Sequence, residues 1–260
     1  MRDRKDNLSK VLLRLCVCVV VLLPLAGCVT TSSDTSSDDD NYEQKNLEIA
    51  YGFLTHGYPQ KAISRLEKIL ERNSRSSRAY GVLGVVYQKQ GEYALAERNF
   101  EKSLDLNSED SGIRNNYGTL LFETGRYDEA EEAFEEVTRD IYYDNRSRAF
   151  ENLGFVALKQ GEKAEAKERF SRALRLQPNL SGSSLELARI YFSEGYYPEA
   201  FKHYQQFDAF GQQTPDSLWL GIRVARAVDQ MPLAVQYAST LSKLYPGSDE
   251  YREYRRRYND

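Results

Sequence analysis

The chain has 260 residues, with 35 Lys+Arg against 39 Asp+Glu for a formal net charge of −4, three cysteines and two histidines. That balance supplies no clustered positive charge of the kind nucleic acid requires. His56 and His203 stand far apart without a Cys/His cluster, and no Gly-x-Ser-x-Gly, P-loop or dinucleotide fingerprint occurs. The expectation is a non-enzyme with no catalytic residue, metal, cofactor or small-molecule substrate.

Residues 1–10 are polar and carry four basic side chains, and residues 11–23 are apolar apart from Arg14. The run is short for a membrane span and has the layout of a secretory signal. It ends in Leu25-Ala26-Gly27-Cys28, which resembles a bacterial lipobox. Signals of that kind are cut before the cysteine, which is then acylated, so residues 1–27 are expected to be a signal peptide and Cys28 the lipidation site. Cys16 and Cys18 would be discarded with the signal, leaving no disulfide. Val29 follows Cys28 where an Asp resembles an inner-membrane retention signal, so the resemblance implies the outer membrane. Without residues 1–27 the chain holds 30 Lys+Arg against 37 Asp+Glu, a net of −7.

Residues 28–42 are rich in Ser, Thr and Asp with almost no apolar content, which predicts a flexible tether.

From residue 43 onward a repeat takes over. Ala62, Ala96, Ala130, Ala166, Ala200 and Ala234 recur at spacings of 34, 34, 36, 34 and 34. A period of about 34 is the signature of tetratricopeptide helix–turn–helix units. Five residues before each alanine stand Gly57, Gly91, Gly125, Gly161, Gly195 and then Asp229, positions suited to ending a first helix in left-handed geometry. Twelve before it stand Ala50, Gly84, Gly118, Gly154, Ala188 and Ile222, and four after it Leu66, Phe100, Phe134, Phe170, Tyr204 and Ala238. Small residues on the facing helices allow close antiparallel approach, and the large residue one turn on fills the space between units.

The expected architecture is all-α: a right-handed superhelical solenoid of six units, 43–248, divided as 43–76, 77–110, 111–146, 147–180, 181–214 and 215–248. The two extra residues fall at 138–148, between the third and fourth units. The sixth unit departs from the pattern at three of the four positions, as a terminal repeat does. A turn at Pro246-Gly247 precedes a C-terminal capping helix, 249–260. The acidic pairs Glu131-Glu132 and Glu135-Glu136 read as a solvated helix side with i,i+4 partners, and Arg255-Arg256-Arg257 as a solvated helix face.

In such stacks the first helices line a groove, and repeat positions 2, 5, 9, 12 and 13 point into it. Positions 9 and 12 give Tyr51, Leu54, Val85, Phe122, Phe155, Leu158 and Phe192 as an apolar stripe, followed by Arg189, Arg223 and Arg226. A stripe of that kind suits an extended peptide or amphipathic helix; aromatics at position 12 packing within their own repeat are the other reading. Asn116 and Asn152, at position 6, resemble residues that grip a terminal carboxylate in some chaperone-binding repeats, but the matching lysines are replaced by Gly81 and Asn115.

The runs at 115–130 and 146–176, with `SLWLGIR` (217–223) and `YPGSDEY` (245–251), resemble the type IV pilus biogenesis and stability lipoproteins of the PilF/PilW type. That resemblance covers nearly the whole chain after Cys28. It implies an outer-membrane lipoprotein with its repeat domain in the periplasm. Such a protein would act as a pilotin, binding the secretin subunit of the type IV pilus and promoting its outer-membrane localisation and multimerisation. The alternative is a periplasmic scaffold for cell-wall enzymes or a protease.

Overall fold

The computed structural model describes residues 33–258, so the signal segment, Cys28 and residues 29–32 lie outside the described residues. The described residues form thirteen helices and no strand. Six antiparallel pairs follow one another: α1 (Ser33–Thr55) with α2 (Pro59–Arg72), α3 (Ser77–Lys89) with α4 (Tyr93–Leu106), α5 (Ser111–Glu123) with α6 (Tyr127–Arg139), α7 (Arg146–Gln160) with α8 (Lys163–Leu176), α9 (Ser181–Ser193) with α10 (Tyr197–Phe210), and α11 (Pro215–Ala227) with α12 (Met231–Leu244). A last helix, α13 (Asp249–Tyr258), closes the series. The compact body runs from Asn46 onward, and each pair packs on its neighbours in chain order to make a solenoid.

Local chemistry places the helix ends. Ser76 and Asp110 cap α3 and α5 by accepting from the backbone N–H of Ala79 and Ile113, each at 3.0 Å, and Thr214 forms a capping box with Ser217 on α11. Pro59, Pro198, Pro215 and Pro232 sit in first turns, where a missing N–H leaves nothing unpaired. The five expected turn glycines all take left-handed backbone, φ +76° to +87°, and Asp229 keeps the same geometry at φ +58°.

The alanine ladder is buried from end to end, with no member more than 2% exposed. The small residues on the first helices turn out to receive a ring. A Cβ built on Gly84 or Gly154 would fall 2.5 Å from the ring of Phe100 or Phe170, and one on Gly118 2.7 Å from Phe134. Each phenylalanine therefore lies flush on the backbone of its partner helix. The sixth unit inverts this: Ile222 and Ala238, both buried in one cluster, exchange the large and small positions. The unit that departs from the pattern keeps its core volume by the swap.

Two differences from the sequence reading concern local structure. Residues 33–42, expected as tether, continue α1 as helix. Extending a helix already nucleated by its packed half adds one hydrogen bond per residue without a new nucleation cost. The acidic residues of α6 find partners on other helices rather than at i,i+4: Arg169 and Gln160 of the fourth repeat hold Glu135 at 3.0 Å and Glu131 at 3.3 Å, and Arg114 on α5 of the same repeat holds Glu136 at 2.9 Å. In the insertion, Arg146 donates to the Thr138 carbonyl and Asp140 accepts from the Tyr142 N–H, so the two extra residues are absorbed in a braced loop.

Helix α13 packs on α11 and α12 as a further first helix would. It uses half-buried Tyr251, Tyr254 and Tyr258, the last 6.1 Å from the Trp219 ring. Arg255, Arg256 and Arg257 are exposed; Glu253 pairs with the last two, and Arg257 also covers Trp219.

Candidate protein-binding face

The first helices bring the expected groove residues to three separate places. At the start of the array, Tyr51 (48% exposed) and Asn116 line a concavity of about 190 Å³ with Leu47, Arg78, Asp110 and Ile113. Burial raises the Tyr51 phenol above its ordinary pKa; Arg78 opposes this and Asp110 adds to it. In the middle, Phe122, Phe155 and Asn152 line a cleft of about 40 Å³ floored by Phe134. Asn152 donates to the Asn115 side chain at 3.2 Å, tying the third repeat to the fourth.

Leu54, Val85, Leu158, Phe122, Phe155 and Phe192 are half-buried. Phe122 leans on Tyr127 at 5.5 Å, Phe155 meets Phe170 edge-on at 5.2 Å, and Phe192 leans on Tyr197 at 5.4 Å. Position-12 aromatics thus pack against the opening residue of the second helix in their own repeat, while part of each ring stays accessible.

The third place is electrostatic. Arg189 donates both terminal nitrogens to Asp216, at 2.6 and 3.3 Å, and its Nε to Glu186 at 3.3 Å. Burial lifts the Glu186 carboxyl more than the Arg189 charge lowers it. Burial alone would depress Arg189, but its bond to Asp216 and the two nearby acids outweigh that and keep it charged. Arg223 lies 5.1 Å over Phe192 and 5.3 Å over Trp219, and Arg226 lies 3.9 Å over Tyr258. Burial and then Arg189 lower the Arg223 pKa. The arginines expected to follow the stripe are therefore engaged on aromatic rings or a carboxylate. Asp216, Trp219 and Arg78 join this face from outside the apolar stripe of positions 9 and 12: Asp216 and Arg78 stand at position 2 and Trp219 at position 5 of the same register.

A solenoid of paired helices whose accessible features are clefts and ionic clusters between first helices defines a class: a tetratricopeptide protein-interaction scaffold. Two family models of the tetratricopeptide repeat match, one over residues 75–139 and 110–179, the other over 47–97 and 152–215. The chain is 36% identical over 234 residues to the type IV pilus assembly protein PilF of Pseudomonas aeruginosa, spanning 88% of this chain and 93% of that one. A solved structure of Pseudomonas aeruginosa PilF matches with a TM-score of 0.82 and 37% identity, over 85% of this chain and 99% of its own. The crystal structure of PilW, a widely conserved type IV pilus biogenesis factor, shares the fold at a TM-score of 0.70 and 24% identity, over 81% of this chain and 97% of its own. The chain belongs to the PilF family of tetratricopeptide-repeat proteins.

Proposed function

We propose that this protein serves type IV pilus biogenesis as a pilotin: an outer-membrane lipoprotein that binds the secretin subunit, carries it to that membrane and promotes its multimerisation. The observation that carries this is the 36% identity to PilF over 88% of the chain, supported by the resemblance of `SLWLGIR` and `YPGSDEY` at the off-pattern sixth repeat. The lipobox at Cys28 supports the anchoring half of the reading. A lipid at that position and a bound client on the repeats raise the client's effective concentration at the membrane with no covalent chemistry. The client is assigned to the first-helix face, where Tyr51 and Asn116, Phe122 with Phe155 and Asn152, and Phe192 beside Arg189 offer apolar and polar anchors; Leu54, Val85 and Leu158 fill the surface between them.

Affinity purification from membranes tests the reading. The expected result is that the secretin co-purifies with the wild-type chain and with Cys28→Ser, while Cys28→Ser leaves both proteins away from the outer membrane. A secretin at the outer membrane in normal amounts with Cys28→Ser would sink the escort role, and its absence from the purified complex would sink the client.

A further inference from the structure

The second helices of the last three repeats, α8, α10 and α12, each end on an exposed apolar side chain. These are Leu176 (44% exposed), Phe210 (63%) and Leu244 (63%), spaced 34 residues apart and thus at one register position. Because a solenoid stacks equivalent positions side by side, the three form a row along the edge where each second helix passes to the next first helix. The insertion lengthens the row. Ile141 (66% exposed) and Tyr142 (88%) project from the loop between the third and fourth units, and Ile141 and Leu176 line one hollow of about 370 Å³. None of these side chains belongs to the first-helix face.

Bases accompany the row. Arg139, Arg175 and Lys243 each directly precede or lie within two residues of one of its apolar members. All three are exposed, and none enters a salt bridge among the described residues. Acids share the edge with these bases: Asp140 accepts from Ser111 at 2.6 Å, a bond that favours its ionised form, and Asp208 accepts from the Tyr237 hydroxyl at 2.9 Å. Asp144 is exposed beside them. Large apolar and aromatic tips flanked by basic side chains are the composition that inserts at a headgroup boundary and is drawn to anionic lipid.

Chain direction points to the same occupant. The first helices of the later repeats begin on this edge, and the compact body starts at Asn46, eighteen positions after Cys28. We infer that the edge carrying Ile141, Tyr142, Leu176, Phe210 and Leu244 rests on an anionic bilayer surface. It orients the repeats so that the first-helix face stays open to a client. This rests on the lipoprotein reading above, because a chain kept away from membranes would have no use for such an edge.

The test uses the chain from residue 28 with Cys28→Ser, so that no acyl chain contributes, and vesicles of phosphatidylethanolamine with phosphatidylglycerol. The expected result is measurable co-sedimentation that weakens with salt and is at least tenfold lower on pure phosphatidylcholine. Ile141→Ser/Tyr142→Ser/Phe210→Ser/Leu244→Ser should lower partition roughly tenfold or more, since each buried apolar tip contributes. Arg139→Gln/Arg175→Gln/Lys243→Gln should lower it by about fivefold for each base removed. Because all seven positions are exposed, circular dichroism should show unchanged helix content. Equal partition of wild type and both variants, or no partition at all, overturns the inference. So does a ridge variant that keeps vesicle binding but loses the secretin, which would make the edge a protein-docking surface. Failure of the pilotin reading is seen separately, as a secretin that does not co-purify with a chain that still binds vesicles.

Discussion

The Tyr204 hydroxyl on α10 donates to the Ser217 carbonyl on α11 at 2.9 Å, a bond that crosses from the fifth repeat to the sixth. The same ring lies on the backbone of Gly221, so that no Cβ fits there. Tyr204 is the longest of the residues that follow the alanine ladder, and its extra reach is spent on the junction with the inverted sixth unit. Tyr204→Phe is expected to lower stability by about 1 kcal/mol, the typical net worth of one buried hydrogen bond. Gly221→Ala should cost about 1–3 kcal/mol through overpacking. Urea denaturation measures both; an unchanged midpoint for Gly221→Ala would refute the close packing.

Asp229 takes φ +58° where five other units have glycine. Left-handed backbone disfavours a side chain by about 1–2 kcal/mol, less for Asp, which bonds locally. Asp229→Gly should therefore raise stability by roughly 0.5–1 kcal/mol. The check is the thermal midpoint, and a fall on substitution would mean that the Asp side chain supports the turn.

Glu151 is 4% exposed on α7, yet it accepts from the Ser183 N–H at 2.8 Å and from the Ser183 hydroxyl at 3.0 Å. Helix α9 begins after Leu180, which has no side chain able to cap it. The fourth repeat thus supplies the cap for the fifth, and Arg148 balances the charge at 3.0 Å. Glu151→Ala is expected to cost about 1–3 kcal/mol, because it leaves buried donors unpaired. Amide exchange should rise in the first turn of α9 before it rises elsewhere; uniform exchange across the array would argue against a capping role.

His203 stacks on Tyr191 with ring centres 5.5 Å apart, and its Nδ1 is buried without a partner. Burial, then the charge of Lys202, lowers its pKa from the ordinary value. The unfolded chain therefore binds this proton more readily than the folded one. The stability contribution is complete above the unfolded pKa of about 6.5 and is lost as pH falls toward the lower folded value. Between pH 7.5 and 5.5, wild type should lose more urea resistance than His203→Gln. An equal loss in the two proteins would show that His203 does not titrate in this window.

Much of the architecture was legible from residues 43–248 alone, because a repeat repeats its reasons. Each turn needs a left-handed residue, each pair needs a small residue at closest approach, and a 34-residue period shows both at once. The ladder from Ala62 to Ala234 and the two-residue slip before α7 fall where the spacing puts them. Which small residue meets which large one was not legible, since Gly154 and Phe170 are brought together by the antiparallel turn and not by any shared sequence neighbourhood.

The candidate face divides in the same way. Register alone assigned Tyr51, Phe122, Phe155, Phe192 and Arg189 to the first helices. Only packing decided that Phe122 and Phe192 lean on Tyr127 and Tyr197, that Arg189 is held by Asp216, and that Tyr258 of the last helix covers Arg226. Sequence by itself determined the periodic backbone, because helix ends and close approaches are local steric requirements. Tertiary structure decided which aromatic and charged side chains remain available, because exposure depends on partners that lie one turn, one repeat or one helix away.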